Sequence, residues 1–118
     1  MHRDPRAYLW DIRQAADAIS TFLSGMDFET YAQSDLIRAA VERKFEIIGE
    51  ALGQLNKVEP NLARRIPDIR DVIAFRNVLI HGYAAVEHGR VWRIIQESLP
   101  GLRAAAAALL DELGPDPV

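Results

Sequence analysis

The stretch Pro67–Tyr83, PDIRDVIAFRNVLIHGY, spaces its apolar residues as a helix does, and reading it as a helix decides the fold class. With about 100° per residue and Arg76 set to zero, Ile69, Val72, Ile73, Leu79, Ile80 and Tyr83 all fall within about 60° of it. Arg76 is therefore expected in the middle of an apolar face. A guanidinium keeps its charge, and burying it unpaired is costly, so it needs a carboxylate partner or an opening towards an anion. Asn77 and His81, four residues apart, share a face offset by roughly 100° to 140° from Arg76 and line the edge of the apolar stripe. Together with Tyr83, this segment places four hydrogen-bonding side chains close together.

The same helical spacing runs outward in both directions, and no segment alternates apolar and polar residues as a half-buried strand would. A first helix is expected from Asp4 as N-cap with Pro5 in its first turn, burying Leu9, Ile12, Ala16, Ile19 and Leu23 and ending at Gly25. Thr30 or Ser34 opens a long second helix reaching about Val58 before Pro60, with Leu36, Val41, Phe45, Ile48, Leu52 and Leu55 on its buried side. A short turn of helix around Asn61 to Ile66 leads to Pro67 in the first turn of the third helix, which Gly82 closes. A fourth helix from about Val86 is kinked or broken by Pro100. The segment GPDPV forms a frayed tail. The expectation is an all-α chain forming an antiparallel four-to-five-helix bundle as one domain.

Composition narrows the function classes. Apolar residues make up 49% and charged residues 26% of the 118, ordinary values for a folded globular domain. Zero cysteines exclude disulfides and thiolate metal sites. The N-terminal residues are charged, and no apolar run approaches the roughly 20 residues that span a bilayer, so a cytoplasmic protein with no membrane partner is expected. A net charge of −3 disfavours broad electrostatic binding of nucleic acid, leaving only local contacts. Arg64, Arg65 and Arg70 are candidates for a local basic patch or are simply solvated surface charges.

Counter-charges for Arg76 are available on the second helix, where Glu42, Glu46 and Glu50 recur every four residues. Gly49, beside Glu50, costs helix propensity and suggests a close approach by another helix. One reading is structural: Arg76 and Glu50 form an ion pair, His81 hydrogen-bonds a carbonyl near the helix end, and the Tyr83 ring packs. The other is chemical. An imidazole near neutral pKa moves the proton of a 2′-hydroxyl or a leaving group, and a guanidinium holds the phosphate as charge builds, which would cleave RNA without a metal. One helix supplies a single histidine, whereas both a base and an acid are useful, so a two-fold dimer pairing two such helices would complete the site.

The segment RNVLIHGY resembles the Arg-x4-His motif of the HEPN superfamily, and its extension to Arg-Asn-x3-His-x-Tyr is similar to that of HepT-like toxins of prokaryotic toxin–antitoxin pairs. YLWDI, IIGEAL and VWRIIQESLPGL extend the resemblance over most of the chain, and the four pieces in this order are far more specific than the motif alone. The resemblance implies a single HEPN-like helical domain over 1–118 that forms a homodimer. It implies a metal-independent ribonuclease site at the dimer interface, with Arg76 and His81 central and Asn77 as the polar residue following the arginine. Glu50 is a supporting residue, and no cofactor or metal is expected. It further implies an RNA substrate, tRNA or mRNA, and a type VII-like system in which an MntA-like nucleotidyltransferase antitoxin attaches AMP at the position matched by Tyr83. An AMP there would fill the cleft and compete with an RNA phosphate for Arg76.

Other constellations are weaker. His2, His81 and His88 lack ligand spacing for a metal. Asp68, Asp71, Asp111 and Glu112 read as helix-end or surface charges. Trp10, Trp92, Phe22, Phe28, Phe45 and Phe75 read as core or interface anchors. Two further functional readings stay open: a non-catalytic helical module that binds a nucleotide or a nucleotidyltransferase partner, and a purely structural ion-pair network.

Overall fold

A computed structural model describes residues 3–82 and 86–114, all of whose regular structure is helical. In chain order the helices are α1 (Pro5–Phe22), α2 (Phe28–Gln33), α3 (Asp35–Val58), α4 (Pro60–Ala63), α5 (Ile69–His81), α6 (His88–Glu97) and α7 (Leu99–Leu113). The excess over four or five has a local cause at each point. Asp27 caps the short α2, accepting from the Thr30 amide at 2.8 Å, so Thr30 lies inside that helix rather than at its start. Ser34 then restarts the chain, its hydroxyl accepting from the Ile37 amide at 3.1 Å. Ser98 and Pro100 separate α6 from α7, with Pro100 in the first turn of α7, where its missing N–H is harmless.

α1 starts as its sequence requires. The Asp4 carboxylate accepts from the Arg6 amide at 2.9 Å and from the Arg6 guanidinium at 2.6 Å. The side-chain bond from Arg6, followed by the amide bond, lowers the Asp4 pKa to about 2. A carboxyl depressed on folding contributes stability that is present above its ordinary pKa of 3.8 and is lost as pH falls towards about 2. An NMR titration of the Asp4 carboxyl is expected to show this low midpoint, and a midpoint near 4 would mean that the cap does not form in solution. The helix ends at Phe22, three residues before the Gly25 expected to close it, and Gly25 takes a positive φ of 76° in the following turn.

The core forms where α1 packs on α3 and α7, and α3 packs on α5. Leu9, Ile12, Ile19, Val41, Phe45, Ile48, Leu52 and Leu55 are fully buried, as their periodicity requires. Leu36 is 78% exposed. It lies about 140° around α3 from Val41, and the half-buried Ile37 takes the inward place. Phe45 of α3 meets Phe75 of α5 edge to face at 5.7 Å, fixing the two helices together. Trp92 contacts Tyr31 and Phe28, while Trp10 stays 49% exposed.

α5 begins at Ile69 rather than at Pro67, because Asp68 adopts a left-handed φ of 60° that interrupts the helix before it. Its buried residues are Val72, Phe75 and Leu79. This moves the centre of the buried stripe about 60° to 70° away from Arg76, towards Phe75. Arg76 therefore stands at the rim of the apolar face and not in its middle. Gly82 does close α5, its amide donating to the Val78 carbonyl at 2.8 Å.

Candidate functional site

Arg76 reaches its position because α3 and α5 touch at Gly49. A Cβ built on Gly49 would lie 2.3 Å from the Arg76 Cβ and 2.6 Å from its Cγ, so the glycine makes room for the arginine stem. The guanidinium runs on to the protein surface with its side chain 30% exposed. There Nη2 donates to Glu50 Oε2 at 2.7 Å and Nη1 donates to Asn77 Oδ1 at 3.1 Å. Glu50 and Asn77 thus hold the guanidinium plane from two sides. Each terminal nitrogen carries a second N–H, so the group can still grip an anion.

The three glutamates of α3 serve different ends. Burial raises the pKa of Glu42, although His88 and Arg38 counter it in part. Glu46 pairs with Arg43 at 3.2 Å, and Glu50 takes Arg76. The last two face a hollow of about 530 Å³ whose walls come from α1, α3 and α5. Arg76 and Ile80 form the α5 side, and Tyr8 and Asp11 the α1 side.

His81 ends α5 with its side chain exposed, and no described residue hydrogen-bonds its imidazole. The carbonyl bond of the structural reading is not formed. Asn77 and His81 lie on the solvent side of α5, away from the Val72–Phe75–Leu79 stripe, and not along its edge. Arg76, Asn77 and Glu50 are brought into contact, while His81 follows Arg76 by five residues on an outward face. Tyr83 and His2 lie outside the described residues. Among the described residues, no three His, Cys, Asp or Glu side chains gather as a metal would require.

One arginine of the candidate basic patch is engaged. Arg65 is bonded to Glu112, and Arg64 and Arg70 share a shallow surface depression with Asp68 and Asp71. Sequence reasoning missed the participation of Arg3, Tyr8, Asp11, Arg43 and Gln54 in the hollow beside Arg76. On α3 a signal existed, since Arg43, Glu46, Glu50 and Gln54 continue one face at three- and four-residue steps. For α1 only tertiary packing supplies the link.

A partly exposed arginine and an exposed histidine presented from one helix, in a chain whose described regular structure is all helical, define a class of small helical proteins with a polar site on a helix surface. The family model described as "Ribonuclease HepT-like" matches residues 12–109, and the chain belongs to that family. It is 35% identical over 106 residues to "Probable ribonuclease HepT" of Thermococcus cleftensis, covering 87% of this chain and 93% of that protein. It is 31% identical over 103 residues to "Putative RNase MJ1380" of Methanocaldococcus jannaschii, covering 86% and 92% respectively. No solved structure matches the chain. Among the described residues no helix is long and apolar enough to cross a membrane.

Proposed function

We propose that this chain is a cytoplasmic ribonuclease toxin that acts as a homodimer of single-domain antiparallel helical bundles and cleaves RNA by transesterification, without a metal. The carrying observation is Arg76, held by Glu50 and Asn77 at the surface of α5, followed by an exposed His81 on the same helix. Membership of the ribonuclease HepT-like family supports the same reading.

In this reading the 2′-oxygen attacks the adjacent phosphorus while one His81 takes the 2′-hydroxyl proton. The P–O5′ bond breaks, and the partner subunit's His81 supplies the proton to the leaving 5′-oxygen. The products are a 2′,3′-cyclic phosphate and a 5′-hydroxyl. Arg76 holds the non-bridging oxygens as negative charge builds on them. The two-fold axis provides both a base and an acid from one residue type.

Control fits the same site. A nucleotidyltransferase antitoxin of the MntA type transfers AMP from ATP to the hydroxyl of Tyr83, two residues along the sequence from His81, with release of pyrophosphate, and the added phosphate competes with RNA for Arg76. A second reading is a non-catalytic module that binds a nucleotide or its partner, with Arg76 and His81 contacting phosphate without catalysing, and the remaining N–H groups of Arg76 serve it equally.

The test is digestion of total cellular RNA, with tRNA resolved separately, by the purified protein in the presence of a chelator. Cleavage by a dimeric preparation is expected. Its absence, in protein whose intact mass shows no adenylyl group on Tyr83, would favour the binding module.

A further inference from the structure

We propose that the hollow beside Arg76 is a base-recognition subsite for guanine, so that cleavage falls next to guanosine. This rests on the ribonuclease reading for its consequence, although not for the binding itself. The volume of about 530 Å³ lies in the range of small-ligand sites and accommodates one nucleotide. Arg76 forms part of its wall, so a base seated there brings its own phosphate to the guanidinium.

The lining chooses the ligand chemistry. Each of its three arginines is matched by a carboxylate, Arg3 with Asp11 at 3.0 Å, Arg43 with Glu46 at 3.2 Å and Arg76 with Glu50 at 2.7 Å. A lining with balanced charge offers little to a polyanion. It suits a neutral planar group that needs both donors and acceptors. Ile47, Ala51 and the 38%-exposed Ile80 add apolar surface for the faces of a ring.

Guanine meets these demands from two edges. Its N1–H and N2–H donate in parallel to a carboxylate, while O6 and N7 accept from a guanidinium. Asp11 and Arg3 form the neighbouring acceptor and donor, and the Arg3 guanidinium is steadied over the Tyr8 ring, 5.0 Å from its centroid. Adenine lacks the second donor on its Watson–Crick edge, and uracil and cytosine each offer fewer matched groups.

The experiment is an NMR titration of the ¹⁵N-labelled full chain with 3′-GMP, 3′-AMP, 3′-CMP and 3′-UMP, repeated on Asp11→Asn. The expected result is saturable shifts of Gln54, Ala51 and Ile80 with 3′-GMP, at least about tenfold tighter than with the other three. In Asp11→Asn, whose spectrum reports that it remains folded, that preference should be lost. Equal binding of all four nucleotides, no shifts at these residues, or shifts that follow protein concentration because a second copy covers the hollow would each overturn the proposal. Mapping cut sites separates the two claims. Guanine binding without any cleavage leaves the subsite and removes the ribonuclease, whereas cleavage without nucleotide preference does the reverse.

Discussion

His81→Ala is expected to lower the rate of RNA cleavage by about 10²- to 10⁴-fold, the range over which a positioned proton-transfer group acts. The change should leave the fold alone. His81 is exposed at the end of α5 and no described residue hydrogen-bonds its ring, so little packing is lost with the imidazole. The measurement is a single-turnover rate beside a thermal melt and a sizing run. A variant that melts early or dissociates would assign His81 to structure, and one that cleaves at the wild-type rate would remove it from the site.

Gly49→Ala is the second large effect, and its direction is less obvious. Alanine improves helix propensity by about 0.8 to 1 kcal/mol, which alone would stabilise α3. Against this, the new methyl group would sit 2.3 Å from the Arg76 Cβ, at the stiff base of that side chain, so α3 and α5 must separate. Overpacking of this kind costs about 1 to 3 kcal/mol, and the cost wins because the Phe45–Phe75 contact resists the separation. The expected net result in a denaturant melt is a loss of up to about 2 kcal/mol. Arg76 moves with the helix, and a displacement of about 1 Å at a catalytic group can lower the rate by about 10²-fold. A Gly49→Ala protein as stable and as active as the wild type would show that the helices are not in contact here.

Both results depend on features with different visibility in the sequence. The Arg76–Glu50 pair was legible because a glutamate stripe at four-residue steps and an adjacent glycine point to one helix meeting another at that height. The caps at Asp4 and Ser34 were legible because capping is local chemistry. Periodicity alone misplaces Arg76 on its helix. Helical angles counted six apolar residues around it, yet Phe75, the largest side chain of α5, rotates the buried face towards itself by packing on Phe45. Leu36 departs from its expected place for a related reason, since Ile37 keeps the inward register. The hollow was not legible, because Asp11 and Arg76 come to line it only through the packing of α1 and α5 on α3. Periodicity within one helix carries no information about that.

The central claim, transesterification driven by Arg76 and His81, is tested most directly by the ends of the RNA it cuts. An oligoribonucleotide carrying one preferred site is incubated with chelator, and the same oligonucleotide is made with a single 2′-deoxy sugar at that site. The account predicts a 2′,3′-cyclic phosphate and a 5′-hydroxyl from the all-ribose strand, and no cut at the 2′-deoxy position. A 3′-hydroxyl with a 5′-phosphate, or cleavage that ignores the missing 2′-hydroxyl, would contradict it.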